Sequence, residues 1–156
     1  MEEVKKTPED DARPIRSVEF LKSPEFIKVW VSLAIIEKDG KFLIGKRPSH
    51  KPYGGKWEFP GGKIKIEEKE TPEQCLVREV REELDVAIEE MHPYLEFDFQ
   101  FPDGNFFHLV AFRCKISGDP QPGAQDEIRW VSVEELGDYD FMDSDKVLVG
   151  SLNRSK

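Results

Sequence analysis

Runs of apolar residues predict that the chain begins its folded part with a β-hairpin. The run FIKVWVSLAIIE, from Phe26, is rich in β-branched residues, and the turn KDGK separates it from FLIGKR. The first run is almost continuously apolar, which predicts a strand buried on both faces. The next segment, PSHKPYGGKWEFPGGKIKIEEKE, is dominated by Gly, Pro and charged residues. It predicts a long loop with a short strand near Trp57 to Phe59.

Helix signals follow this loop and occur again near the end of the chain. Thr71, Pro72 and Gln74 form a capping-box pattern, which predicts a helix that runs to about Leu84. The final segment, SDKVLVGSLNRS, predicts an amphipathic helix that begins at a Ser or Asp cap. Between them, AIEEMHPYLEFDFQF and NFFHLVAFRCKIS predict a second hairpin joined by PDGN. IRWVSV predicts a last strand, followed by a helical turn at 133–136.

The order of these elements predicts the fold class and one folded domain. Strands and helices do not alternate regularly, so we expect an α+β fold with a mixed β-sheet. Residues 1–24 are polar and interrupted by proline, which predicts a flexible N-terminal arm. The remaining residues, 25–156, are enough for a single domain with one sizeable core.

Composition and charge limit the classes of function. The formal net charge of −9 argues against charge-driven binding to nucleic acid or to an anionic membrane. Two cysteines are too few for a disulfide framework, and the first residues lack the apolar core of a secretion signal. We therefore expect a soluble, cytoplasmic protein. The sequence leaves open whether it is a monomer or a homodimer.

Three acidic residues crowd one face of the first predicted helix. Glu79, Glu82 and Glu83 lie at positions i, i+3 and i+4. Like charges at such spacings destabilise a helix by about 0.2 to 0.5 kcal/mol per pair. The spacing is compatible with a solvated helix surface and also with a site for a divalent cation, because hard ions such as Mg²⁺ prefer oxygen ligands. An apolar stripe on another face is formed by Leu76, Val77, Val80 and Leu84.

This segment resembles the signature of the Nudix hydrolases, a family that cleaves nucleoside diphosphates linked to another group. The positions that match the signature are Gly62, Glu70, Arg78, Glu79, Val80, Glu82, Glu83 and Val86. Gly62 and Glu70 are separated by seven residues instead of five, and Asp85 replaces the usual glycine after the helix. The longer loop leaves open whether Glu70 or its neighbours Glu67 and Glu68 play the supporting role.

The resemblance extends over roughly Lys28 to Leu152 and follows the MutT-like branch, which hydrolyses nucleoside triphosphates to monophosphate and pyrophosphate. It implies a Nudix-type α/β/α sandwich with a mixed β-sheet, and Mg²⁺ as the cofactor, with Mn²⁺ as an alternative. The metal ligands that it implies are the carboxylates of Glu79, Glu82 and Glu83 with help from the Gly61 carbonyl, and Arg78 belongs to the same catalytic set.

The resemblance also points to residues that would bind the substrate. Arg47 and Lys63 are candidates to bind phosphate, although each is also compatible with a solvated side chain. Phe59 would form an apolar wall for the base. Asp145 would accept hydrogen bonds from a donor-rich base edge, such as that of oxidised guanine or of cytosine. Asp145 and its neighbour Ser144 are also compatible with the N-cap of the final helix.

The general base is not identified by the sequence. The family often places a glutamate at the position of Ala124, which cannot take a proton. Asp126 and Glu127 lie in the same loop and could replace it, and so could a carboxylate of the helix such as Glu82.

Three functional hypotheses follow. The first is a Mg²⁺-dependent nucleoside triphosphate pyrophosphatase that sanitises the nucleotide pool, with 8-oxo-dGTP or a cytosine nucleotide as the favoured substrate. The second is a Nudix hydrolase of nucleotide sugars or dinucleoside polyphosphates, which usually carries extra recognition elements that are not found here. The third is a catalytically weakened Nudix fold that binds a nucleotide as a regulator, which Ala124 and the longer loop support. The complete REVREE sequence argues against the third.

Overall fold

The computed structural model describes residues 29–155, in which seven strands and two α-helices form. The strands are β1 (Val29–Lys38), β2 (Lys41–Lys46), β3 (Trp57–Glu58), β4 (Gly61–Lys63), β5 (Ala87–Gln100), β6 (Phe106–Ser117) and β7 (Glu127–Ser132). The helices are α1 (Pro72–Leu84) and α2 (Asp143–Arg154), and short 3₁₀ turns occur at Ile66–Glu68 and Leu136–Asp138. The predicted arm, 1–24, and the start of the predicted first strand lie outside the described residues.

The strands form one mixed β-sheet in which β1 is central. The order along the main path is β3-β2-β1-β6-β5, while β4 pairs with β1 and β7 pairs with β2. β1 runs parallel to β6, from Val29 opposite Phe107 to Ile36 opposite Cys114, whereas its pairings with β2 and β4 are antiparallel. The predicted α+β fold with a mixed sheet is therefore confirmed.

The two helices cover opposite faces of this sheet, because successive side chains of a strand point to opposite faces. Leu33 and Ile35 of β1 belong to the core that contains α2, whereas Ala34 and Ile36 belong to the core that contains α1. The result is a helix–sheet–helix sandwich, as expected. From α1, this second core receives Leu76, Val80 and Leu84. Val77 was expected in the same stripe but is half exposed, so its predicted burial is wrong.

Three local predictions differ from the structure. β4 was predicted as loop because its sequence is GGK, which lacks β-branched residues, yet it pairs with β1 over Val31–Leu33. The helical turn expected at 133–136 is a 3₁₀ turn at Leu136–Asp138. Helix α2 begins without a side-chain cap, since its N-cap residue is Met142, so the predicted Ser or Asp cap is wrong.

No helix within residues 29–155 has both the length and the apolar content needed to cross a membrane.

Candidate active site

Helix α1 is fixed at both ends and presents its acidic face to a cavity of about 880 Å³. At its N-terminus the predicted capping box is present: Gln74 N donates to Thr71 Oγ1 at 3.1 Å, and Thr71 N donates to Gln74 Oε1 at 3.0 Å. At its C-terminus Asp85 adopts the left-handed conformation with φ 56°, which satisfies the requirement of the missing glycine. The helix face that lines the cavity carries Arg78, Glu79, Glu82 and Glu83.

Arg78 organises the carboxylates around it. Its Nε donates to Glu70 Oε2 at 2.8 Å, and its Nη1 donates to Glu79 at 2.9 Å and to Glu82 at 3.0 Å. Its Nη2 also donates to the Lys63 carbonyl at 3.1 Å, which ties α1 to β4. The hydrogen bonds from Arg78 lower the pKa of Glu70 to about 2, so Glu70 stays ionised.

The structure brings Glu70, rather than Glu67 or Glu68, to Arg78. Glu67 and Glu68 lie exposed in the 3₁₀ turn Ile66–Glu68, which takes up the two extra residues of the loop. Lys69 then adopts a left-handed conformation with φ 60° and directs the chain back to Glu70. The longer loop therefore leaves the contact between Arg78 and its glutamate intact.

Negative charge accumulates beside Arg78 without enough positive charge to balance it. Desolvation and, after it, repulsion from Glu58 and Glu79 together raise the pKa of Glu83 to about 9. Desolvation also raises the pKa of Glu58, although Arg47 acts in the opposite direction. A hydrogen bond from the Gln125 amide to Glu83 only partly offsets the repulsion. A bound cation would relieve this repulsion.

The same residues fit a divalent cation in their chemistry. They supply hard oxygen donors and an excess of negative charge in one cavity, which are the requirements of Mg²⁺ and Mn²⁺. The ligand set is not preassembled: within the described range no three His, Cys, Asp or Glu side chains converge as they would around a metal ion. The carboxylates have other partners instead, because Arg78 donates hydrogen bonds to Glu79 and Glu82, and Gln125 donates one to Glu83.

The paired glycines let the backbone of β4 approach α1 closely. A Cβ atom on Gly62 would collide with the carboxylate of Glu79, and one on Gly61 would collide with the carbonyl oxygen of Ser32 in β1. Both glycines line the cavity. A side chain at either position would therefore displace the backbone from the acidic face of α1.

The two basic candidates lie in the cavity with these acids. Arg47 is held in place, since its Nε donates to the Pro52 carbonyl at 3.0 Å and its Nη1 donates to Glu58 at 3.2 Å. Lys63 is exposed and also lines the cavity. Anionic phosphates could therefore meet a basic side chain on the same surface as the acidic face of α1.

Asp145 reaches the cavity from the first turn of α2. Its side chain is buried, and its Oδ2 accepts a hydrogen bond from the backbone N–H of Phe59 at 2.8 Å. Ser144 donates to its Oδ1 at 3.2 Å. Desolvation and, after it, repulsion from Glu58 together raise the pKa of Asp145 to about 7. Asp145 therefore holds the β3–β4 segment instead of capping its own helix.

Two residues predicted for the site do not lie in the cavity. Phe59 was expected to form a wall for the base, but its ring is buried and stacks on Phe141, with 5.4 Å between the ring centroids. Trp57 and Phe59 both belong to the α2 core, whereas Glu58 between them faces the cavity, as expected from the alternation of an extended chain. Glu127 was a candidate general base, but it begins β7 and forms an ion pair with Arg129 away from the cavity lining.

Sequence reasoning missed two residues of the site. Glu58 is an isolated acid between two aromatic residues in WEFPGG, and that pattern could have marked it as facing the cavity. Gln125 contacts Glu83 across a sequence separation of 42 residues, and no local pattern indicates such a contact.

Comparisons with known proteins identify the family of the chain. The NUDIX domain family model matches residues 26–149. The chain is 36% identical to the CTP pyrophosphohydrolase of Escherichia coli over 116 residues, which cover 74% of this chain and 84% of that enzyme. It is 31% identical to the 8-oxo-dGTP diphosphatase of Escherichia coli over 136 residues, which cover 81% of this chain and 98% of that enzyme.

Solved structures show the same fold. The solution structure of the Escherichia coli ORF135 protein matches with a TM-score of 0.71 at 32% identity, over 81% of this chain and 89% of that one. The MutT Nudix hydrolase of Burkholderia pseudomallei matches with a TM-score of 0.72 at 23% identity, over 80% of this chain and 98% of that one. The family model covers most of the chain, so this protein is a member of the Nudix family with MutT-like relatives.

Proposed function

We propose that this protein is a nucleoside triphosphate diphosphatase that uses a divalent cation and releases a nucleoside monophosphate and pyrophosphate. The observation that carries the proposal is that one cavity is lined by the acidic face of α1, by Arg47 and Lys63, and by the buried acceptor Asp145. These groups suit a cation, a polyphosphate and a base, respectively. The relatives named as a CTP pyrophosphohydrolase and an 8-oxo-dGTP diphosphatase support the same reaction class.

The cation is Mg²⁺ in this proposal, with Mn²⁺ as an alternative, and it would be held by Glu79, Glu82 and Glu83 near the Gly61 backbone. Such an ion lowers the pKa of bound water and screens the charge of phosphate oxygens. The chain itself contributes positioning, because Arg78 orients two of these carboxylates and is in turn held by Glu70.

Arg47 and Lys63 would bind the phosphates, and Glu82 is the remaining candidate to accept the proton from water. Ala124 has no titratable group, and Asp126 and Glu127 lie outside the cavity lining. Glu82 lines the cavity, and its side chain is 52% exposed, so solvent can exchange a proton with it.

Asp145 would select the base. In its ionised form the carboxylate accepts hydrogen bonds only, which favours the N1 and N2 hydrogens of guanine or the amino group of cytosine. One oxygen is already bonded to Phe59 N–H, and Ser144 donates to the other. Because the carboxylate favours a base edge with donors, we expect 8-oxo-dGTP or a cytosine nucleotide to be the preferred substrate. We expect no requirement for nucleic acid or a membrane.

A substrate panel tests this function. The purified protein is incubated with Mg²⁺ and with canonical and oxidised nucleoside triphosphates, nucleotide sugars and dinucleoside polyphosphates, and products are separated by chromatography. Release of pyrophosphate from one triphosphate is the expected result. Turnover of only the sugars or dinucleotides would replace the proposal with the second hypothesis, and binding without turnover would replace it with a regulatory role.

Matched substitutions show whether α1 carries the reaction. We expect Glu82→Gln to lower turnover by about a hundredfold or more, the scale of losing one electrostatic stabiliser. Glu73→Gln is the control, since Glu73 is an exposed residue of the same helix outside the cavity lining. Near-normal turnover in Glu82→Gln would exclude the acidic face of α1 as the active centre.

A further inference from the structure

The loop between β6 and β7 is attached to the helix that carries the acidic face. Gln121 N donates to the Leu84 carbonyl at 2.9 Å, and Gly123 N donates to the Glu83 carbonyl at 2.8 Å. These bonds satisfy two carbonyl groups at the C-terminus of α1, which have no partner within the helix. At the other end of the loop, Asp126 N donates to the Lys46 carbonyl at 3.0 Å. The loop is therefore held at three points around Gln125.

Two glycines make the room that Gln125 needs. A Cβ atom on Gly45 of β2 would lie 2.8 Å from the Cγ of Gln125, so only glycine leaves space for this side chain. A Cβ atom on Gly123 would lie 2.7 Å from the Glu83 carbonyl oxygen, so a side chain there would push the loop off α1. The position of Gln125 thus depends on contacts with β2 and with α1.

The amide of Gln125 is buried and only half satisfied. Gln125 is 8% exposed and lines the same cavity as Glu83. Its Nε2 donates to the Glu83 carboxylate. This orientation is required whenever Glu83 is ionised, as it must be to bind a cation, because the opposite orientation would place two acceptor oxygens together. Its Oε1 is buried and has no hydrogen-bond partner among the described residues. A buried acceptor without a partner is unfavourable, which indicates that a ligand supplies the missing contact.

We propose that Gln125 belongs to the cation site as a neutral oxygen ligand, with its amide N–H group orienting Glu83 and its Oε1 binding the same divalent cation. Side-chain amide oxygens are ordinary ligands for hard cations. This inference rests on the cation dependence of the proposed function and extends it. In this proposal Gln125 also compensates for the lack of an acid at the adjacent Ala124, because its amide supplies an oxygen that does not titrate.

The test measures cation affinity without any nucleotide. Mn²⁺ is titrated into the metal-free full-length protein, and the free ion is followed by electron paramagnetic resonance. We expect Gln125→Leu to raise the Kd by about tenfold or more, the scale of losing a residue that supports a metal site. Gln121→Leu is the matched control, because Gln121 is exposed in the same loop, and its Kd should equal that of the natural protein.

A second variant separates the oxygen ligand from the hydrogen-bond donor. Gln125→Glu keeps a side-chain oxygen and removes the N–H group, so we expect its Kd for Mn²⁺ to be equal to or lower than that of the natural protein. A Kd as weak as that of Gln125→Leu would overturn the assignment of Oε1 as a ligand. Unchanged affinity in Gln125→Leu would overturn the whole inference. If Gln125→Leu does not melt cooperatively, Gln125→Met, which also lacks the oxygen, replaces it in the comparison.

The result of the Mn²⁺ titration can be distinguished from the result of the substrate panel that tests the proposed function. A protein that binds Mn²⁺ through Gln125 but hydrolyses no triphosphate would contradict the function and support the inference. If the protein hydrolyses a triphosphate and Gln125→Leu keeps its Mn²⁺ affinity, the proposed function is supported and the inference about Gln125 is contradicted.

Discussion

Two clusters of carboxylates in this protein differ in how their charge is balanced. On strands β5 and β6, His108 is fully buried, and its two ring nitrogens face Asp98 at 2.6 Å and Glu96 at 2.8 Å. In the cavity beside α1, by contrast, desolvation raises the pKa of both Glu58 and Glu83, and repulsion from Glu58 and Glu79 also raises that of Glu83. In the first cluster both acids contact a basic side chain, whereas in the second the side-chain partner of Glu83 is the neutral amide of Gln125.

We infer that the cluster around His108 serves stability and that the cavity cluster serves function. The cluster around His108 joins neighbouring strands, because Asp98 and His108 are directly paired in the sheet, and removing a partner would leave a buried charge uncompensated. The cavity cluster buries acids whose raised pKa values oppose the ionised form, and the cation of the proposed function would make that form favourable. Substitutions should therefore affect activity at one cluster and stability at the other.

The largest effect is expected for Glu83→Gln in the cavity. Turnover should fall by about a hundredfold or more, because a charged ligand of the proposed cation is lost. The melting temperature should not fall, since the substitution relieves the repulsion with Glu58 and Glu79. Steady-state kinetics and thermal melts of Glu83→Gln, with the exposed Glu89→Gln as control, measure both quantities. Unchanged turnover would remove Glu83 from the site.

The converse behaviour is expected for His108→Gln. Loss of the imidazole should destabilise the fold by about 3 kcal/mol, because the buried carboxylate of Glu96 and the partly buried one of Asp98 lose their partner. The turnover of the folded fraction should stay near that of the natural protein. Denaturant unfolding measures the first quantity, with the exposed His92→Gln on β5 as control. A stable but inactive His108→Gln variant would contradict the division between the two clusters.

A smaller, pH-dependent effect is expected for Asp145→Asn. The folded pKa of Asp145 is about 7, above its ordinary value of 3.8, so the stability contributed by its protonated form is lost as pH rises through 7. At about 1.4 kcal/mol per pKa unit, an asparagine that stays neutral avoids a penalty of about 4 kcal/mol at pH 8. A buried amide N–H₂ group that replaces the oxygen accepting from Ser144 costs about 2 kcal/mol of this, so the net gain should be about 2 kcal/mol. The gain should vanish as pH falls from 7 to about 4.

Unfolding curves at several pH values measure this gain, and Asp143→Asn is the control because Asp143 is half exposed in the same helical turn. The groups that act on Asp145 are Glu58, Arg47, Ser144 and the backbone of Phe59. A gain that is the same at pH 5 and pH 8 would show that Asp145 has an ordinary pKa.

The smallest effect is expected for Glu127→Gln, outside both clusters. Glu127 pairs with Arg129 at the surface, and such pairs contribute about 0 to 1 kcal/mol. Turnover should change by less than about twofold, the scale of a surface substitution. Kinetics of this variant beside Glu82→Gln decide between the two candidates for the general base. A tenfold loss in Glu127→Gln alone would restore Glu127 to that role.

The parts of the fold that could be predicted from the sequence depend on local interactions. The turn KDGK gives Asp39 and Gly40 positive φ angles of 53° and 77°, as a tight hairpin requires, and the capping box of α1 is closed within four residues. The pairing of β1 with β6 and the short strand β4 were not predicted, since both depend on partners far along the chain. The lack of a side-chain cap on α2 also depends on a distant partner, because the Asp145 carboxylate accepts a hydrogen bond from the Phe59 N–H and does not cap its own helix.

The same distinction applies to the candidate site. Helical spacing was enough to place Glu79, Glu82 and Glu83 on one face, because that geometry is internal to α1. The direction of the Phe59 ring depends on which face of the sheet is covered by α2, and the sequence near Phe59 does not show this. Gln125 and Glu127 are only two residues apart, yet only the first lines the cavity, where it bonds to Glu83, whereas Glu127 pairs with Arg129.

The parallel pairing of β1 with β6 has a consequence for synthesis on the ribosome. Val29 pairs with Phe107, so β1 emerges from the exit tunnel long before its neighbour on that side exists. Until β6 follows, one edge of the most apolar strand is open to pairing with another nascent chain. Folding dominated by such distant contacts is also slow. The central strand that later supports both helices is therefore the segment for which chaperone protection matters most during translation.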